Sequence, residues 1–336
     1  MKNPLETGIH YEPLRPGRSV GTPEQYEFTH SMNGVCVYDI DTLDFVKEIS
    51  VGTKPDCHAT SVDNQYVYMA CFEGLYCINL KNLAVEKIVD TGKIYATNTL
   101  PENDSMLVHD LQGGVLLLEN ITDMAKIHIA SRQQVIPNGQ FRSEIGGKGS
   151  FLQNGRYYLC NGWHQSKMYL FDVRDKFSFT DFIDVHPLLD GSDDLVISAD
   201  HTKAYSACHC GIKDRAHVTV TDIEKRMIIK SIPTGIGSCG LTMTNDERYA
   251  IVSNDRDDSI SVIDTKTDQV VNTPCAREGF GKLGIQGYIQ GISCGKNDEI
   301  YVYGCAGNGA IVRFTDIIHA NRYEISYPGG KIKSFY

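Results

Sequence analysis

Short β-branched and apolar runs alternate with polar turns along this chain, and one such phrase recurs. It is clearest at Tyr249-Ala-Ile-Val-Ser-Asn254, Ser259-Ile-Ser-Val-Ile-Asp264 and Thr265-Lys-Thr-Asp-Gln-Val-Val271. The pattern predicts a strand, a polar loop, an alternating strand ending in Asp, a tight turn and another strand. The same phrase returns at Gln65-Tyr-Val-Tyr-Met-Ala-Cys71 with Leu75-Tyr-Cys-Ile-Asn-Leu80, and at Ala204-Tyr-Ser-Ala-Cys-His209 with His217-Val-Thr-Val-Thr-Asp222. Self-similarity at this period means an array of four-stranded sheets.

Aligning the residue that ends the second strand of each repeat gives His30, Cys71, His109, Asn161, His209, Asn254 and Ala306, in steps of 38 to 52 residues. That is the pitch of propeller blades, and seven positions imply seven blades. Within each repeat the innermost strand comes first, as at His58–Val62 and Gly240–Thr244. Polar turns such as Asp63-Asn64 and Asn245-Asp246-Glu247 then lead to the second strand. Residues 26–50 supply only three strands, and six four-strand units follow to about Pro328. Lys331-Ile-Lys-Ser-Phe-Tyr336 has the size of the missing innermost strand. The expected fold is therefore all-β: a seven-bladed β-propeller of four-stranded antiparallel blades, closed by pairing of its N- and C-terminal strands, with only short protected edges. Ile9–Leu14 competes for the same place, weakened by Pro13. Residues 1–25 read as an extended segment over one face, and 1–336 as a single domain.

Composition narrows the class. The chain has 336 residues, 41% of them hydrophobic, ample for a large core. No apolar run approaches the roughly 18 residues of a membrane helix, and Met1-Lys-Asn-Pro-Leu-Glu-Thr-Gly8 has no apolar signal region. A net charge of −10 without a basic stripe argues against nucleic acid. Most of the eleven cysteines, such as Cys36, Cys77 and Cys160, lie in predicted strands, where the thiol behaves as a small hydrophobe. Buried reduced thiols point to the cytoplasm.

The phrase at Tyr249–Asn254 followed by Ile260-Ser-Val-Ile-Asp264 resembles the YVTN-type β-propeller repeat. The wider relatives of that family include the virginiamycin B lyases and the haem domain of dissimilatory nitrite reductases. The likeness is good at 238–276, fair at 56–90 and 194–234, and loose elsewhere. It implies the fold and no activity, because propellers host unrelated functions. The chain lacks Cys-x-x-Cys-His for covalent haem attachment, and no catalytic position of the lyases maps onto it.

In a propeller, the loops into the inner strands and the loops after the second strands share one face, around the mouth of the central channel. Five of the eleven histidines, His30, His58, His109, His164 and His209, are expected there, one from each of five successive blades. Neutral imidazoles suit a divalent transition metal such as iron, copper or zinc. Cys208-His209-Cys210 lacks the spacing of a zinc knuckle, since Cys208 and Cys210 point to one side of a strand and His209 to the other. Gly146-Gly-Lys-Gly-Ser150 lacks the phosphate-loop spacing and reads as a loop into an inner strand, with Lys148 free to attract an anion. No nucleotide or haem is expected.

For chemistry at this mouth, His58, His109, Tyr95 and Tyr288 are the candidate proton-transfer groups. Lys148, Trp163, Glu73 and Arg256 are the candidate substrate contacts. Long connections at 137–148, 186–194 and 275–288 lie on the same face, where binding sites are built on a rigid scaffold. The resulting expectation is a small-molecule enzyme, metal-dependent and of lyase, isomerase or oxygenase type. The alternative is a non-catalytic scaffold that binds a protein partner through exposed aromatics and Arg.

Overall fold

The computed structural model describes residues 25–31, 34–55, 57–100, 104–135, 147–152, 156–162, 167–173, 177–184, 192–208, 216–304, 308–319 and 321–334. Seven antiparallel sheets follow one another in chain order, each built from hairpins between sequence neighbours. They are the seven blades of a β-propeller. In blades 2 to 6 the first strand lies at one edge and the fourth at the other, and the first strands of neighbouring blades touch along most of the ring. The innermost-first order expected from the hairpin turns therefore holds.

The burial pattern explains why the strands differ in composition. Second and third strands are covered by a blade on each face, so Tyr249–Asn254 and Ser259–Asp264 are buried almost throughout. Fourth strands lie on the rim, and in Met227–Pro233 and Gln269–Asn272 most positions are exposed or half-buried. Seven apolar clusters fill the spaces between adjacent blades. Tyr68, Leu75, Met106 and Leu116 lie between blades 2 and 3, and Tyr205, Val220, Leu241 and Val252 between blades 5 and 6. Six of the second strands end at His30, Cys71, Asp110, Gly162, Cys208 and Asn254, within one residue of expectation. The seventh ends at Tyr303 rather than Ala306.

Closure of the ring corrects the expectation. The C-terminal strand Gly330–Ser334 does not complete blade 1. It pairs antiparallel with Arg322–Tyr327 as a fifth strand of blade 7, and blade 1 has three strands among the described residues. The reason is local: Tyr327 pairs with Gly330 across the two-residue turn Pro328-Gly329, so a tight hairpin forms at almost no loop-closure cost. The competing strand Ile9–Leu14 lies outside the described residues.

Blades 7 and 1 instead meet through side chains and one isolated bridge between Ser31 and Asn308. Thr29 donates to the carbonyl of Ala310 (2.9 Å), Tyr38 to that of Gly309 (2.6 Å), and Tyr301 to that of Ile40 (3.1 Å). Arg313 spans the same seam, donating to the carbonyls of Ile40 and Asp41 while pairing with Glu324. The apolar cluster here is small, led by Tyr38, Leu43, Tyr301 and Ile311.

The long connection at 275–288 contains a short helix, Arg277–Leu283. No helix among the described residues is long and apolar enough to cross a membrane.

Candidate functional site

At the face where the inner strands begin, a cavity of about 40 Å³ lies on the axis of the ring. Every blade contributes to its lining: His30 from blade 1, Cys57 from blade 2, Tyr95 from blade 3, Lys148 from blade 4, Asp194 from blade 5, Cys239 from blade 6, and Gln290 and Tyr303 from blade 7. The expected channel mouth is thus a real convergence point of the chain.

Three of these side chains arrive by the same local device. The inner strands of blades 3, 5 and 6 each slip register against their second strands, between Ile94 and Ala96, between Ser192 and Leu195, and between Ser238 and Leu241. The extra residues of such bulges leave the ladder and can be aimed away from the sheet. Tyr95, Asp194 and Cys239 occupy those bulges and line the cavity. In blade 7, Gly291 lets the backbone pass close beside Tyr303, since a Cβ there would stand 1.9 Å from Cε2 of its ring.

Charge is distributed unevenly in this site. The carboxylate of Asp194 accepts the backbone N–H of Lys148 (2.6 Å) and of Leu241 (3.2 Å), so it ties together the two blades on either side of its own. The ammonium of Lys148 lines the cavity and makes no hydrogen bond or ion pair among the described residues. Burial opposes its charge, but Tyr303, Cys57, Asp194 and Glu27 outweigh burial and hold it above the ordinary lysine range. Burial likewise raises the Tyr303 hydroxyl, which stays protonated at neutral pH.

Glu27 and His58 stand beside these groups, both buried. Oε1 of Glu27 accepts from the Ser293 hydroxyl (3.0 Å), while Oε2 has no partner among the described residues. Burial pushes this carboxyl up to about 7, against the lowering effects of Ser293, Lys148 and the Phe28 backbone. The imidazole of His58 packs against Phe28 and Tyr303, with ring centroids 5.8 and 5.4 Å away. Burial and the nearby Lys148 and His30 hold it well below the ordinary histidine range, so it is neutral, and its Nδ1 has no partner among the described residues.

The other sequence-derived candidates divide clearly. His30 lines the cavity, its ring 6.0 Å from that of Tyr303. His109 does not. It is fully buried, with Nε2 2.9 Å from the hydroxyl of Tyr158, which in turn accepts the backbone N–H of Gly149 (3.0 Å). It therefore supports the loop that carries Lys148. Tyr288 is held outside the lining with φ at +129°, its N–H donating to Asp258 Oδ1 (2.7 Å) and its hydroxyl bonded to Asp255. Glu73 is exposed and accepts from the backbone and hydroxyl of Thr53 (2.7 and 2.6 Å). Arg256 is also exposed, 3.7 Å from Asp255. Trp163, His164 and His209 lie outside the described residues.

Among the described residues, no three His, Cys, Asp or Glu side chains come together in a group that could hold a metal ion. Sequence reasoning missed Glu27, Asp194 and Tyr303. A signal existed for Glu27, a lone carboxylate between two aromatic residues in the strand Tyr26-Glu-Phe-Thr-His30. The register slip that aims Asp194 inward has no comparable mark in the chain. No family model matches the sequence and no curated protein matches it, so its placement is architectural: this chain is a seven-bladed β-propeller with a polar cavity on its axis.

Proposed function

We propose that the protein is a small-molecule enzyme whose site is the axial cavity, and that Glu27 moves a proton there. The carrying observation is the buried carboxyl of Glu27, with one oxygen held by Ser293 and the other unpartnered among the described residues, close enough to Lys148 of the cavity lining to feel its charge. A buried polar atom without a partner costs stability, and such groups are found where a ligand or a reaction uses them. A carboxyl that titrates near neutrality beside an imidazole kept neutral is a pair suited to proton abstraction and return. Isomerase or lyase chemistry fits that pair best.

The test begins with a thermal-shift screen of small metabolites, followed by turnover of the hits monitored by NMR. Glu27→Gln is expected to keep binding and lose turnover. Turnover at the wild-type rate in that variant would sink the assignment.

The metal-dependent form of this reading draws on His30 and His58, which both pack on Tyr303. Elemental analysis of untagged protein tests it: stoichiometric metal lost on His58→Ala supports it, and metal-free protein with full turnover rejects it. The scaffold alternative draws on the exposed Lys54 and Lys93, whose ammonium groups lie 4.9 and 5.7 Å from the Phe72 ring, and on exposed Arg256. Kinship with YVTN-type propellers is supported by the repeated phrase alone. A reducing, cytoplasmic setting is supported by the cysteines of the described residues, all of which are free thiols.

A further inference from the structure

Three polar side chains at the axial cavity, those of Lys148, Tyr303 and Gln290, have no hydrogen-bond partner among the described residues. Their chemistry is complementary. An ammonium, a phenol and a carboxamide together offer several donors and a single positive charge.

Asp194 lines the same cavity and offsets part of that charge, while its carboxylate accepts the Lys148 and Leu241 backbone N–H groups. Glu27 is the other acid nearby, and it forms no ion pair with Lys148 within 4.0 Å. A half-buried ammonium at a cavity lining gains a charge-assisted hydrogen bond when an anion enters.

Size sets the second limit. One water-sized group needs roughly 10–15 Å³ of such a cavity, so about 40 Å³ admits roughly three of them. A space of this size takes a carboxylate group and little more. It fits the carboxylate end of a molecule no larger than about four non-hydrogen atoms.

We infer that the axial cavity binds a small planar monoanion of the carboxylate type, held by the Lys148 ammonium and by hydrogen bonds from Tyr303 and Gln290. The inference rests on the small-molecule reading above and narrows it to a substrate class.

The test is calorimetric titration of the full chain with sodium acetate, sodium bicarbonate, acetamide, hexanoate and sodium chloride. Acetate is expected to bind, and acetamide and hexanoate to fail. Lys148→Met should weaken acetate at least tenfold, and Gln290→Ala and Tyr303→Phe several-fold, each variant retaining the wild-type circular dichroism. Bicarbonate bound more tightly than acetate would assign the same anion site to a carbonate source. Several outcomes overturn the inference: acetamide binding as well as acetate, hexanoate or chloride binding equally well, or acetate indifferent to both Lys148→Met and Gln290→Ala. Binding of acetamide alone would overturn the anion class and leave the small-molecule reading intact. Turnover lost in Glu27→Gln while acetate binding persists separates the two in the other direction.

Discussion

The hydroxyl of Tyr158 stands 2.9 Å from Nε2 of His109 and also accepts the backbone N–H of Gly149, so one side chain ties blade 3 to the loop that presents Lys148. The arrangement is tight: a Cβ at Gly149 would meet the Leu159 carbonyl oxygen at 2.4 Å and the Tyr158 hydroxyl at 2.6 Å. Tyr158→Phe strands a buried ring nitrogen and the Gly149 N–H. Each unsatisfied group costs about 1–3 kcal/mol. Denaturant unfolding is expected to show a loss of at least about 2 kcal/mol, and ligand affinity at the cavity should fall with it. Unchanged stability would mean that His109 is not a support.

Glu27 gives the fold a pH dependence whose sign is fixed. Its folded carboxyl is raised from the ordinary 4.5 to about 7, so the folded state holds the proton more tightly than the unfolded chain. The stabilisation is complete below about 4.5, is lost as pH rises toward 7, and changes little above it. A shift of this size corresponds to about 3 kcal/mol. The difference in melting temperature between wild type and Glu27→Gln, followed from pH 5 to 8, should move in favour of the variant as pH rises. A pH-independent difference would refute the shift.

Gly291→Ala offers a steric probe of the cavity. The added methyl would lie 1.9 Å from Cε2 of Tyr303, and Tyr303 is buried with little room to retreat. The ring must turn or the strand must shift. Acetate affinity is expected to fall at least tenfold while the far-ultraviolet spectrum keeps its β-sheet form. A variant that binds normally would place the ligand away from Tyr303.

The hairpin at the C-terminus makes a further expectation possible. If Gly330–Ser334 completed blade 1, its removal would open the ring. It pairs with Arg322–Tyr327 instead, so deletion of residues 329–336 should lower the melting temperature by a few degrees and leave a compact protein on gel filtration. Arg313→Met should be worse. It breaks a mostly buried pair with Glu324 and leaves the Ile40 and Asp41 carbonyls without that donor, for a loss of about 2–3 kcal/mol even though Lys333 still contacts Glu324.

The repeated phrase made the architecture readable because its cause is local. Strand alternation and turn residues are set within a few neighbours, and hence Tyr249–Asn254 and Ser259–Asp264 were placed by pattern alone. Closure depended on a choice between two partners for one strand, and the composition of Lys331–Tyr336 suits either. The candidate site was half readable. Lys148, Tyr95, His30 and His58 sit at loop or strand positions whose face follows from topology. Asp194 and Cys239 reach the axis through register slips, which depend on how two strands fit together rather than on either one's residues. His109 shares the chain position expected of a site residue, and its neighbour Tyr158 turns it into a support.

The polar seam between blades 7 and 1 also orders events in time. Thr29 and Ala310 are 281 residues apart in the chain, and Glu27 and Ser293 are separated by 266. Every other blade interface joins neighbours along the sequence and can assemble as the chain is made. The seam must wait for blade 7. Until then the carboxyl of Glu27 is open to water and ionises as an ordinary acid. Only the last contact of assembly takes that water away and gives the group its unusual proton affinity.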